Sequence, residues 1–246
     1  MFLPQTDAPL LGADRTRPPL LRVWDRALDL VFPPRCVSCD AFGSFICARC
    51  SARMMPADGP RCDTCWMPLD PLRTSRRCRS HPLALTGVRS AFVYDAAARD
   101  AVLALKFRGL SASAPLMARS MAACLIEWSP PIASIVAVPL SGQRRRLRGY
   151  DQADLLAQEV SRLTGIPRAR RALVRRRSTP PQARQAGDAR RRNVVGAFAA
   201  GKPVPEGGVL LIDDVVTTGA TLDACARVLL GAGAKAVFAL TLARED

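Results

Sequence analysis

The chain is poor in aromatic side chains, in lysine and in histidine. Phe, Trp and Tyr make up 5% of its 246 residues, so platforms on which nucleic-acid bases could stack are scarce. Lysine occurs three times against thirty-three arginines, and the single histidine is His81. With one imidazole, the chain cannot hold a multi-histidine metal site or a histidine relay. Long apolar runs are also missing. The apolar stretch at residues 20–32 is interrupted by Arg22, Asp25, Arg26 and Asp29. It therefore reads as neither a signal-peptide core nor a membrane span, and the expected location is the cytoplasm. In that compartment the nine cysteines should be thiols or metal ligands rather than disulfides.

What is present is positive charge and a strong cysteine pattern. The formal net charge is +15. Fifteen arginines and four acids lie between Arg144 and Arg192, which places +11 of it in that stretch. A face of this kind attracts polyanions such as nucleic acid, phosphates or anionic lipid. A plain compositional preference for Arg over Lys is the competing reading.

Seven cysteines fall between residues 36 and 78. Six form CxxC pairs: Cys36 and Cys39, Cys47 and Cys50, Cys62 and Cys65. Cys78 and His81 make a fourth knuckle. Two such knuckles can close one tetrahedral site at about 2.3 Å per thiolate. One zinc site is therefore expected at Cys36, Cys39, Cys47 and Cys50. A second is expected at Cys62, Cys65, Cys78 and His81. Redox thiols and an iron–sulfur cluster are the alternatives. Four protein ligands leave no open position, so the metal, one ion or two, is structural. Cys124 and Cys225 lie in apolar helical patterns and read as core residues.

From residue 88 onward strands alternate with helices. Strands are predicted over 89–94, 133–138, 208–212 and 235–242. Helices are predicted over 96–107, 113–128, 151–164 and 221–230. The pattern implies an α/β fold of Rossmann-like type, with a parallel sheet and helices on both faces. Its ligands should meet the carboxyl ends of the strands. The expected organisation is a disordered tail at 1–19, an N-terminal helix with a double zinc-knuckle module at 20–86, and the α/β domain at 87–246. Three loops reach the ligand end. They follow Val138, cover roughly 175–193, and follow Ile212. The second carries Pro180, Pro181 and Gly187 and is expected to act as a lid.

The third loop belongs to VLLIDDVVTTGAT, residues 209–221. Thr217, Thr218, Gly219, Ala220 and Thr221 are small, and a helix starts there. Their backbone N–H groups and hydroxyls suit a terminal phosphate. Asp213 and Asp214 would repel that phosphate unless they hold sugar hydroxyls or Mg²⁺. The set describes a phosphorylated pentose. The competing reading makes Asp214 a helix cap and Asp213 a loop carboxylate paired to an arginine.

This stretch closely resembles the phosphoribosyl-pyrophosphate motif of the type I phosphoribosyltransferases. From about residue 28 to 244 the chain resembles the ComF competence-protein family, with its GntX-like members. The resemblance rests on FPPRCVSC with further knuckles, LKFRG (105–109), and VPL followed by Arg144, Arg148, Gly149, Tyr150 and Gln152. Gln182, Arg192, Asn193, Ala197 and Phe198 follow, and IDDVVTTGAT closes the series. It implies the type I phosphoribosyltransferase fold. It also implies that Asp213 and Asp214 hold the ribose and that residues 217–221 cradle its 5-phosphate. The loop at 139–145, with Pro139 and Leu140, becomes the pyrophosphate loop, and 178–193 a hood. Where the family usually has Asn the chain has Asp151, which cannot donate as an amide does.

Two kinds of function follow from the resemblance. One is pentosyl transfer, with pyrophosphate displaced from C1 of the ribose. Asp213, Asp214, Arg144, Arg145 and Arg192 are the candidate catalytic residues, with Mg²⁺ bound alongside phosphoribosyl pyrophosphate. Its acceptor is not legible, and a metabolic transferase is one form of it. The other is a part in DNA uptake during natural transformation, acting on incoming single-stranded DNA. A zinc scaffold that docks a helicase-like partner is a further alternative. Only Tyr150 and Phe198 lie in or beside the basic stretch, which favours phosphate contact over base reading.

Overall fold

The computed structural model describes residues 33–69, 83–107, 111–177, 194, 196–204 and 206–246. The expected tail at 1–19 and helix at 20–32 lie outside these residues. So do Cys78, His81, Arg192 and the whole 178–193 hood.

Four parallel strands form the central sheet: β1 (Gly87–Val93), β2 (Ser134–Ala137), β5 (Gly208–Val216) and β6 (Ala236–Arg244), in the order β1-β6-β5-β2. Among the described residues the α-helices are α1 (Ala48–Ser51), α2 (Ala96–Phe107), α3 (Ala114–Trp128), α4 (Gly142–Arg148), α5 (Gln152–Thr164) and α6 (Ala220–Gly231). The period of two along a strand assigns the two faces. In β5, Leu210 and Ile212 face the cluster built by α2, α3 and α5, while Val209 and Leu211 face the cluster under α6. In β6, Phe238, Leu240 and Leu242 take the first side, and Val237 and Ala239 the second. The expected parallel sheet with helices on both faces is what the chain forms.

Three features depart from the predicted elements. The segment GQRRRLR, expected within a loop, forms the short helix α4 behind the cap Ser141, whose Oγ accepts from Arg144 N. The long basic loop springs from a small antiparallel hairpin, β3 (Leu173–Arg175) with β4 (Phe198–Ala200). β5 does not stop at Ile212. It runs through both aspartates to Val216, held by parallel pairing of Asp213 with Thr241 and Val216 with Arg244.

The cysteine segment is built onto the sheet. Cys36, Ile46, Cys50 and Met54 belong to the same apolar cluster as α2, α3 and β6. Residues 55–57 run antiparallel to β1, with Val93 N donating to Met55 O at 2.8 Å and Ala57 N to Ala91 O at 3.1 Å. Arg89 of β1 stacks on Trp66 at 3.8 Å and on Trp128 at 4.8 Å. Residue 86 was the expected boundary, and apolar packing is continuous across it. Cys225 is buried as expected, and Cys124 is partly buried against the core.

Candidate ligand site and metal centre

Because β5 continues through the double acid, successive side chains leave on opposite faces. Asp214 shares the face of Leu210 and Ile212 and is 4% exposed. Its Oδ1 accepts from Lys106 Nζ at 2.9 Å. Its Oδ2 is buried with no hydrogen-bond partner among the described residues. Asp213 leaves toward α6, where its charge is felt by Cys225 and Arg175. Its Oδ1 accepts from the Asp214 N–H at 2.8 Å. Burial first, and the neighbouring Asp214 charge second, push the Asp213 carboxyl up to about 8.

Beyond Val216 the chain bends at Thr217 and Thr218 and enters α6. Gly219 precedes the helix with φ of 76°, the left-handed region that favours glycine. A Cβ there would also come within 3.2 Å of Leu83 Cδ1. Gly219 offers no side-chain cap to α6, and the Ala220 N–H makes a long 3.4 Å hydrogen bond to Thr218 Oγ1, at a helix start where an anion would find N–H donors.

Lys106 has a role that no local sequence pattern marks. Lys106 sits in the last turn of α2, and two contacts fix that turn. The Tyr150 hydroxyl donates to Leu105 O. Arg148 lies over the Phe107 ring at 4.8 Å. Arg148 Nη1 in turn donates to Gln152 Oε1 at 2.9 Å. So Arg148, Tyr150 and Gln152 of one motif grip the LKF turn of another and aim Lys106 at Asp214. The signal was available: the two motifs come from separate places in the chain, and the lysine is one of only three.

Asp151 has a role that needs no amide. One oxygen accepts from Leu140 N at 2.9 Å, the other from Ala153 N at 3.1 Å and Asp154 N at 3.3 Å. It caps α5 and ties down the Pro139 and Leu140 loop. That loop abuts β5, since Val138 N donates to Ile212 O at 2.9 Å. Burial raises the proton affinity of Asp151 in spite of these three donors. Arg144 and Arg145 project from α4, a helix with no buried residue. Asp213, Asp214, Lys106 and the 217–221 turn thus gather at the carboxyl end of β5, and Arg192 lies outside the described residues.

The Sγ atoms of Cys36, Cys39, Cys47 and Cys50 all lie within 4.8 Å of one another. Cys39 and Cys47 Sγ are 3.6 Å apart, and a tetrahedron with about 2.3 Å Zn–S bonds has edges of about 3.8 Å. Cys47 N donates to Cys36 Sγ at 3.4 Å, a backbone bond that favours thiolate. Burial, then hydrogen bonds with Cys39, Cys47 and Cys36, push Cys50 up to about 12. The Ala41 backbone bond and then Cys50 draw Cys39 down to about 6. Crowding keeps four thiolates from coexisting unless a cation sits among them, so the residues fit a structural zinc ion.

The second pair repeats the first, a feature sequence analysis missed. Pro34, Arg35, Cys36 and Cys39 correspond to Pro60, Arg61, Cys62 and Cys65. The Cys36 N–H donates to Ala41 O and that of Cys62 to Met67 O, both at 2.8 Å. Asp40 and Trp66, each four residues after the first cysteine, have φ of 60° and 61°. Gly43 N donates to Pro34 O and Leu69 N to Pro60 O. The repeated PRCxxC was the legible sign of it. The arginines then diverge. Arg35 is exposed and pairs with Asp40. Arg61 is buried and holds both oxygens of Asp246 at 2.8 and 2.9 Å. Arg244, also buried, reaches Cys65 O at 2.6 Å and Thr217 O at 3.4 Å, joining the second knuckle to the 217–221 turn.

A family model described as a double zinc ribbon domain matches residues 27–80. The chain is 40% identical over 110 residues to the DNA utilization protein YhgH of Escherichia coli, an alignment covering 45% of this chain and 48% of that protein. It therefore spans about half the length of that relative. The protein of the same name from Salmonella typhi aligns over 205 residues at 31% identity, covering 81% of this chain and 90% of the relative. Competence protein ComFC of Bacillus subtilis aligns over 209 residues at 27% identity, covering 81% and 84%. A solved structure of glutamine phosphoribosylpyrophosphate amidotransferase from Bacillus subtilis overlays 52% of this chain and 26% of that one. Its TM-score is 0.37 and its identity 21%, a likeness too slight to speak to activity. The long alignment to the Salmonella protein, with the double ribbon ahead of the α/β body, settles the relationship: the chain belongs to the ComF family, with the DNA utilization protein YhgH and competence protein ComFC.

Proposed function

We propose that the protein binds phosphoribosyl pyrophosphate with Mg²⁺ at the carboxyl end of β5 and acts in DNA uptake, on incoming single-stranded DNA. The observation that carries the ligand reading is the buried, unpartnered Oδ2 of Asp214. A buried carboxylate oxygen costs free energy until a hydroxyl or a cation meets it. Ribose hydroxyls or Mg²⁺ would do so from the open end of the strand. The N–H groups of Gly219, Ala220 and Thr221 and the hydroxyls of Thr217 and Thr218 would receive the 5-phosphate. Pro139 and Leu140 would line the diphosphate, with Arg144, Arg145 and Arg192 beside its charge. Bound Mg²⁺ would neutralise part of that diphosphate charge. The DNA reading draws on the relatives' names, DNA utilization and competence proteins, and on the +11 stretch.

A second reading, pentosyl transfer to an acceptor, draws on Asp213. A carboxyl that titrates near 8 is suited to proton exchange at neutral pH. The zinc scaffold for a helicase-like partner has less in its favour, because Cys36 and Cys50 are packed into the core of the α/β body.

The test is calorimetric titration of phosphoribosyl pyrophosphate with Mg²⁺ into zinc-loaded protein and into Asp213→Ala/Asp214→Ala. Binding by the wild type alone supports the reading. Absence of binding by folded wild type rules the ligand out.

A further inference from the structure

We propose that Phe107 and Arg148 form a nucleobase-stacking platform beside the acidic site, and that α4 takes the adjoining phosphates of a single-stranded nucleic acid. This deepens the DNA part of the proposed function by assigning its contact surface.

Phe107 ends α2, directly after Lys106, and is 69% exposed. A phenyl ring this open at a site mouth is unusual for a chain so short of aromatics. The cation over its ring is held in place. The Arg148 guanidinium lies 4.8 Å from the ring centroid, and Gln152, itself buried, accepts from it at 2.9 Å. Ring and guanidinium both offer flat faces to a base. A base placed there stands next to Lys106 and Asp214.

The charge of α4 selects the polymer. GQRRRLR places Arg144, Arg145, Arg146 and Arg148 in seven residues, with no acid in the first turn and no buried residue. Arg145, Arg146 and Leu147 are exposed. A phosphodiester chain would meet the charge of the exposed Arg145 and Arg146. A duplex hides the base faces that Phe107 would meet, so the strand is single.

Among the described residues, the other aromatics near the basic stretch or a surface arginine do not fit. Phe198 and Tyr150, the two nearest in sequence to the basic stretch, are spent elsewhere. Phe198 is 5% exposed in the core, and the Tyr150 hydroxyl holds Leu105 O. Phe42 is exposed under Arg35 at 4.1 Å, but Asp40 neutralises that arginine.

The experiment is a fluorescence-anisotropy titration of the zinc-loaded chain with oligodeoxythymidylate and with an abasic strand of equal length. Wild type should prefer the thymidylate strand by about ten- to hundredfold, the usual worth of one stacked base. Phe107→Ala and Phe107→Leu should erase that preference and leave abasic binding unchanged, while Phe107→Trp keeps it. Arg145→Ser/Arg146→Ser should weaken both strands and lower the salt slope by about 1.4. Equal affinity of wild type for the two strands overturns the proposal. So does a preference that survives in Phe107→Leu, or competition by thymidine monophosphate as effective as by the strand. Calorimetry with phosphoribosyl pyrophosphate on the same wild type reads the ligand pocket separately, so the two readings fail independently.

Discussion

Replacing Lys106 by Met should destabilise the protein more than replacing its partner Asp214 by Asn. The two side chains meet at 2.9 Å, but they are buried to different degrees, 22% exposed for Lys106 and 5% for Asp214. Breaking a fully buried ion pair from one side costs about 3–5 kcal/mol, because an uncompensated charge is left behind. In Lys106→Met the stranded charge is the carboxylate of Asp214, whose Oδ2 already lacks a partner. Some solvent reaches the lysine end, so the cost should fall below that range, at about 2–3 kcal/mol. In Asp214→Asn the stranded charge is an ammonium on a flexible stem that can turn to water. That cost should be about 1 kcal/mol. For a chain of this size the difference corresponds to about 2–8 °C in Tm. The assay is thermal unfolding of the zinc-loaded variants with and without Mg²⁺. Mg²⁺ should recover more of the Lys106→Met loss than of the Asp214→Asn loss, since only the first keeps the Asp214 carboxylate to bind it beside Asp213. Asp214→Asn proving the more damaging, or Mg²⁺ helping both alike, would refute the reasoning.

Four further outcomes are expected. Asp213 titrates near 8 in the fold against about 3.9 in the unfolded chain. Its contribution to stability is therefore complete below about pH 4 and is lost as pH rises toward 8. Thermal unfolding across that window should show the decline, and Asp213→Asn should flatten it. For the same reason, Mg²⁺ binding should strengthen from pH 7 to 9 and release a proton, read by calorimetry in buffers of different ionisation enthalpy. Asp151→Asn offers one accepting oxygen where two are used, so it must give up either Leu140 N or the α5 cap. A loss of about 1–2 kcal/mol in denaturant unfolding is expected, and a neutral result would mean the loop holds without it. Asp246→Asn removes a charge from buried Arg61 and Arg244. Both keep carbonyl acceptors, so about 2 kcal/mol should be lost rather than the full cost of an isolated buried charge.

Much of the frame was legible because its signals are local. Uninterrupted apolar runs marked β2 and β5, and Gly165 marked the end of α5, where it adopts φ of 75°. CxxC spacing marked the metal centre before any packing was known. The end of β5 was misjudged for a physical reason. Two aspartates in a row look like a turn, but the ladder to β6 supplies backbone partners as far as Arg244 and overrides that local preference. The short helix α4 was hidden because its stability comes from the Ser141 cap and the Gly149 turn, not from an apolar stripe.

Contacts between distant segments were the part that no local pattern carried. Sequence proximity pointed to Tyr150 and Phe198 as the aromatics of the basic region, and the fold uses both for construction. The exposed ring beside α4 is Phe107, brought there by a helix that precedes the basic stretch by several elements. The paired acids follow the same logic. Adjacent in sequence, they were expected to act together on one ligand. A strand that continues through them sends Asp214 to Lys106 and Asp213 toward Cys225. Their difference in environment follows from that divergence: one is ion-paired, the other drawn toward its neutral form. Under the proposed ligand reading, two identical side chains would therefore offer two chemistries, a lysine-paired oxygen on one side of the strand and a carboxyl drawn toward its neutral form on the other.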